Sequence, residues 1–186
     1  MKKFIAVLSL IVILAVGLYV VSKFHPENAA VVKEEQDKNS KVADNNSVVA
    51  IDFDFQDLNG HKYHLSDFKG KVIILNFRRM ECPACDYELE FLKDLYNQIG
   101  NGNNIKLIPL FLGDVPEVIA RYVKRKNVNF SCYVDSYGLS AYKYRVYVVP
   151  TTFIIDRNFN VVDRAVGVAD WGSNEIVSWL QELSNE

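Results

Sequence analysis

Residues 71–77 read KVIILNF, a continuous apolar run of strand length. A solvated strand face would show every second residue polar, so this strand is expected to be buried on both faces. IKLIPLFLG, at residues 105–113, is a second run of the same kind. Between them the period becomes helical. Phe91, Leu92, Leu95, Tyr96 and Ile99 make one stripe, and Gly100 and Gly102 with their asparagines end it. Buried strands joined through a helix ask for a central sheet with helices packed against it.

The rest of the chain extends this plan. AIDFDFQDLNGHKYHLSDF, starting at Ala50, alternates and carries Asn59-Gly60, a hairpin signal. VPEVIARYVKRKN is helical, FSCYVD a short strand and YGLSAYKYRV a short helix. TTFIID, the turn RNFN and VVDRAVG form a closing hairpin, and SNEIVSWLQEL is a last helix with Ser173 as its N-cap. The order β–α–β–α, then β–β–α, predicts an α/β domain over residues 48–186. Its central mixed sheet is flanked by helices on both faces, with an N-terminal β-hairpin extension.

Upstream the composition changes twice. Residues 4–21 are an uninterrupted apolar run behind Lys2 and Lys3. As a helix this run would be about 27 Å long, close to the hydrocarbon thickness of a bilayer. SKFHP follows at residues 22–26, without the small-residue pattern of a cleavage site. Residues 1–21 therefore read as an N-terminal transmembrane anchor rather than a cleaved signal. The lysines favour a cytoplasmic N-terminus and an exported remainder. Residues 22–47 are polar, charged and without sustained period; they read as a flexible linker spanning about 25–30 Å. Under either reading the domain works outside the cytoplasm, where thiol–disulfide chemistry is common.

Cys82 and Cys85 sit where the strand at 71–77 gives way to the helix. Free N–H groups and the positive end of the helix dipole stabilise a thiolate there. Pro83 suits the first helical turn, where its missing N–H costs nothing. This spacing makes Cys82 the exposed attacking thiol and Cys85 the more buried resolving thiol. Haem attachment would need a histidine where Asp86 stands. A zinc site would need His61 and His64, whose odd separation on a strand sends them to opposite faces. Cys85, Glu88, Leu92, Leu95 and Ile99 share one helical face, so the Glu88 carboxylate lies in an apolar stripe. Burial there raises its pKa and fits it to exchange protons with the cysteines.

Other features exclude function classes. With three cysteines in 186 residues the chain is no disulfide scaffold. A net charge of -2 gives no reason to expect nucleic acid as a partner. Cys132 alternates with Ser131 and Tyr133 and reads as a buried apolar thiol. Trp171 and Trp179 read as core or rim, and RYVKRKN as a solvated helix end.

DLNGHKYHLSDFKGKVIILNF, then CPAC, then VVPTTFIID together resemble the TlpA/ResA-like thiol–disulfide oxidoreductases, membrane-anchored members of the thioredoxin fold. The resemblance runs from about residue 50 to 183. It implies Cys82 as nucleophile, Cys85 as resolving cysteine, Pro150 as a cis-proline beside the pair, and Glu88 as the family's acid. It also implies a docking surface from Glu81, Pro83, Val149 and Thr151, where backbone before the proline pairs with an extended substrate. Glu81 stands where such proteins usually carry tryptophan. A carboxylate there opposes a thiolate, while Arg78 and Arg79 act the other way. No cofactor beyond the redox-active cysteine pair is implied. The expected partners are a client protein with a disulfide or dithiol, apocytochrome c among them, and a membrane electron donor of the thiol-reductant type. The alternatives are an oxidant or isomerase of the same fold, a thiol peroxidase, and a metal carrier using the pair. A peroxiredoxin loop would need threonine where Arg79 stands.

Overall fold

The computed structural model of the protein describes residues 48–100 and 104–186. The expected anchor, 1–21, and the whole expected linker, 22–47, lie outside the described residues. Among those described, no helix is long and apolar enough to cross a membrane.

The chain opens with β1 (Val48–Val49) and the hairpin β2 (Asp54–Asp57) and β3 (Lys62–His64), then a 3₁₀ turn at Leu65–Phe68. Strand β4 (Val72–Arg78) leads into α1 (Pro83–Ile99). Next come β5 (Ile105–Leu112), α2 (Pro116–Arg125), β6 (Tyr133–Asp135) and α3 (Leu139–Lys143). The chain closes with β7 (Thr151–Ile155), β8 (Asn160–Val166) and α4 (Asn174–Leu183). Among the described residues one mixed sheet runs β1-β8-β7-β4-β5-β6-β2-β3. Strands β4, β5 and β6 are parallel, and β7 returns antiparallel beside β4. The N-terminal hairpin extends the sheet by pairing β2 with β6.

Strand β4 is buried along its whole length, as its apolar run requires. Its side chains alternate between two cores. Val72 and Ile74 join Leu89, Leu92 and Leu95 of α1, with Ile119 and Tyr122 of α2 and Val177 and Leu180 of α4. Ile73, Leu75 and Phe77 join Phe53, Leu65, Tyr144 and Phe153 on the other side. The expectation of helices on both faces needs refinement: the three long helices share one face. Two successive parallel crossovers, β4 to β5 and β5 to β6, step the same way along the sheet. Right-handed crossovers in one direction put both helices on one side. The opposite face is closed by α3, the 3₁₀ turn and an aromatic cluster. Tyr144 sits at its centre, 5.6 Å from Phe53, 5.5 Å from Phe77 and 5.0 Å from Phe153 between ring centroids.

The expected strand over FSCYVD is only three residues long, yet its facing is as read: Phe130, Cys132 and Val134 lie in the helix-side core and Tyr133 in the other. Helix α1 stops at Gly100, whose φ of 62° is in the left-handed region where glycine meets no Cβ penalty.

Candidate active site

Cys82 is the N-cap of α1, with extended backbone, and Pro83 occupies the first helical turn. The Cys85 N–H points at Cys82 Sγ, 3.2 Å away, so the sulfur takes the place of a capping oxygen. The two cysteines are joined in a disulfide with Cα atoms 5.2 Å apart. Cys82 is partly exposed, while Cys85 is fully buried. One residue of the bond is partly open to solvent and the other is sealed from it.

The Val149–Pro150 peptide is cis, and the Val149 carbonyl oxygen lies 3.8 Å from Cys82 Sγ. The strand end at β7 thus comes beside the disulfide although residues 82 and 149 are distant in sequence. Pro150 is buried beneath this turn, and the Thr151 hydroxyl donates to the Val148 carbonyl at 2.7 Å. Of the four residues read as a docking surface, Glu81 and Pro83 are exposed and Val149 is partly so. Thr151 is different: its side chain is buried and braces the turn from within. Glu81 adopts φ 55°, left-handed backbone that is uncommon for a residue with a Cβ.

Glu88 lies one turn beyond Cys85 and is fully buried. Both its oxygens are engaged: Oε1 accepts from Trp171 Nε1–H at 2.8 Å and Oε2 from Asn76 Nδ2–H at 2.9 Å. Asn76 also donates to Thr152 Oγ1 at 2.8 Å, tying β4 to β7 under the helix. Burial raises the Glu88 pKa above the ordinary carboxylate value. The Trp171 and Asn76 donors and the Arg78 charge oppose that rise without reversing it. The carboxylate does not reach around to solvent.

Two further groups surround the helix start. Arg78 is fully buried, and its Nη2 donates to the Cys85 carbonyl at 2.7 Å. Asp86 accepts from Tyr122 Oη at 2.6 Å and from Lys126 Nζ at 2.8 Å. Burial works against the Asp86 carboxylate, but those two donors outweigh it and hold its pKa below the usual value. Cys132 stands apart as a buried free thiol whose pKa burial pushes up to about 12. His61 and His64 each pair with an aspartate of their own, Asp57 at 3.1 Å and Asp54 at 2.8 Å; His61 lies in the turn ahead of β3 rather than on a strand.

The AhpC/TSA family model matches residues 47–164. The chain belongs to the AhpC/TSA family. ResA thiol–disulfide oxidoreductase of Geobacillus kaustophilus (strain HTA426) is 28% identical over 152 residues, 82% of this chain and 79% of that protein. ResA of Bacillus thuringiensis subsp. konkukian (strain 97-27) is 30% identical over 118 residues, 63% of this chain and 68% of that protein. Among solved structures, StoA from Bacillus subtilis matches with a TM-score of 0.58 at 21% identity, over 74% of this chain and 98% of that one. A secreted thiol-disulfide isomerase from Corynebacterium glutamicum matches at 0.61 and 19% identity, over 74% and 86%. The fold is therefore thioredoxin-like. With ResA relatives and a C-x-x-C disulfide at the helix start, this AhpC/TSA member is a thiol–disulfide oxidoreductase.

Three contributors escaped the sequence reading: Asn76, Thr152 and the indole of Trp171. The first carried a signal. In VIILNFR the polar residues fall two apart at the strand's C-terminal end, so both face the helix that follows. The third carried none, because Trp171 comes from a loop 83 residues further on.

Proposed function

We propose that the protein is a membrane-tethered reductase of disulfides in exported client proteins, working through Cys82 and Cys85. The observation that supports it best is the asymmetry of the pair. Cys82 is partly exposed and its Sγ lies beside the Val149 carbonyl, whereas Cys85 is fully buried. In the reduced protein, the Cys82 thiolate attacks a client disulfide, forming a mixed disulfide and releasing one client thiolate. Cys85 loses its proton and attacks Cys82 Sγ, which releases the second client sulfur. Two electrons leave the protein, and Cys82–Cys85 is again a disulfide. Glu88, one turn from Cys85 and disposed by burial to hold a proton, takes up the proton that Cys85 loses. The client lies extended along the backbone at Val149, with Glu81 and Pro83 at its flank. The cis turn at Pro150 and the Thr151 brace keep that edge in place.

The anchor at residues 1–21 holds the domain on the extracytoplasmic side of the cell membrane, and residues 22–47 give it reach. A membrane donor of the thiol-reductant class restores the dithiol. Clients with paired cysteines, apocytochrome c among them, fit the reaction. The experiment is a pair of variants. Cys82→Ala is expected to abolish disulfide reduction, and Cys85→Ala to trap a mixed disulfide on Cys82. A Cys82→Ala protein that reduced substrate at the wild-type rate would end the proposal. A reduction potential near that of thioredoxin, about −270 mV, supports the reducing direction, and one near −120 mV favours an oxidant instead.

A further inference from the structure

The exchange chemistry leaves Arg78 without a task. Its side chain is fully buried under the first turn of α1, with Nη2 on the Cys85 carbonyl and the guanidinium carbon 5.2 Å from the centre of the Phe111 ring. Nε and Nη1 are sealed from solvent and have no hydrogen-bond partner. None of the ion pairs among the described residues includes it. A guanidinium buried without an ion-pair partner is strongly destabilising. A fold keeps such a charge where another state of the site supplies the missing anion.

The groups facing Arg78 from each neighbouring element narrow the choice. On α1, Asp86 is held by Lys126 and Tyr122, and Glu88 by Asn76 and Trp171. From α2 comes the Tyr122 hydroxyl, and beside β6 the Cys132 thiol. Burial drives the pKa of both upward, so both stay neutral at physiological pH. The two carboxylates thus have donors of their own, and the hydroxyl and the thiol are neutral; the anion left without a partner is the thiolate that reduction creates.

We propose that Arg78 is the fixed counter-charge of the reduced cysteine pair, stabilising the thiolate that reduction creates and moving the disulfide–dithiol equilibrium toward the dithiol. This rests on the oxidoreductase reading and adds what sets its poise. Reduction by glutathione breaks the Cys82–Cys85 bond and forms the S–S bond of glutathione disulfide. Two electrons pass to the protein. Of the two glutathione protons, one ends on Cys85 and the other goes to solvent, because Cys82 remains a thiolate. Arg78 is a positioning residue here, acting through the helix start rather than on the client.

The test uses the full-length protein and three variants. Arg78→Met removes the charge, Arg78→Gln removes it while keeping an N–H for the Cys85 carbonyl, and Arg78→Lys keeps the charge. Two quantities are read: the equilibrium constant for reduction by glutathione, by acid quench, and the Cys82 thiolate absorbance against pH. Arg78→Met and Arg78→Gln are expected to lower the constant about tenfold, a potential about 30 mV more negative. Their thiolate titration moves to higher pH, and Arg78→Lys stays near wild type. A folded Arg78→Gln protein with wild-type values of both overturns the inference, as does an Arg78→Lys protein that shifts as far as Arg78→Gln. If Arg78→Met does not fold, Arg78→Gln and Arg78→Lys still decide. Wild-type protein that fails to exchange with glutathione sinks the functional reading instead, and the thiolate titrations then judge Arg78 on their own.

Discussion

On the side of the sheet that carries Ile73, Leu75 and Phe77, the covering residues are aromatic or aliphatic: Phe53, Leu65, Tyr144 and Phe153. On the side that carries Val72 and Ile74, the next two positions along the same strand are Asn76 and Arg78, both fully buried. One strand thus serves two purposes at once. Its aromatic side is mainly packing, and the hydroxyl at its centre, that of Tyr144, donates to the Ile51 carbonyl at 2.8 Å. Its helix side turns polar only at the end where the cysteines lie, and there Asn76, Glu88, Trp171 and Thr152 form a sealed network. Buried polar groups are costly unless satisfied, so four of them gathered at the end of the strand where the cysteines lie are kept there for chemistry. The contrast implies that the two sides fail differently when altered.

The largest effect is expected on the aromatic side. Phe53→Ala removes a ring that touches Phe55, Phe77 and Tyr144, with centroids 5.5, 6.5 and 5.6 Å away. Large-to-small changes of this kind cost about 3–5 kcal/mol. Denaturant unfolding should show that loss, while disulfide exchange per folded molecule stays at the wild-type rate because Phe53 lies on the face away from Glu88 and Arg78. An activity loss larger than the unfolded fraction explains would break the division between the sides.

Much of this plan was legible before any coordinates. The continuous run at β4 and the stripe of α1 are strong because burial on both faces and on one face leave different periods. Cys85 and Glu88 could be set on one face because three residues make nearly a full helical turn. The closing hairpin, the N-cap at Ser173 and the buried thiol of Cys132 follow from local chemistry in the same way. What could not be read is whatever depends on two distant segments meeting. The Trp171 indole reaches Glu88 only because the segment before α4 runs back across α1, with Gly172 so close that a Cβ there would lie 2.7 Å from that of Asp94. That α1 and α2 share a face depends on crossover direction, which no single segment encodes. Arg78 was legible as a charge near the cysteines, but its burial depends on α1 and Phe111 closing over the end of the strand.

A smaller effect with a definite sign comes from the sealed network. Burial raises the folded-state pKa of Glu88 above its ordinary value of 4.5. The unfolded chain releases that proton near pH 4.5 while the folded protein keeps it. Stability from this group is therefore complete below about 4.5 and is lost as pH rises through the higher folded value. Glu88→Gln removes the titration. The stability difference between variant and wild type should move in the variant's favour across that window and then level off. At about 1.4 kcal/mol per unit, its size reads out the shift itself. A difference that is flat with pH would mean that the network holds the carboxylate at its ordinary value. The exchange rate sharpens the same point, since Glu88→Gln should flatten its pH profile on the acid side.

The smallest effect separates the two kinds of polar group on the helix side. Asp86 is close in sequence to Glu88 but faces α2, and in its pair with Lys126 each side chain keeps about a third of its exposure, 35% and 35%. Solvent screens such a pair, so it is worth less than about 1 kcal/mol. Its pKa shift also runs the other way: burial is outweighed by the Lys126 and Tyr122 donors and the carboxyl titrates below 3.8. The stabilisation is then present above the unfolded value and lost as pH falls through the lower folded one. Asp86→Asn should lower stability slightly at neutral pH, with the gap closing in acid, the reverse of the trend for Glu88→Gln. Added salt should shrink the Asp86 effect, because its pair meets water, and leave the Glu88 effect in place, because its network does not. If both effects responded alike to salt, the boundary between a solvent-linked rim and a dry interior at this end of the sheet would not exist.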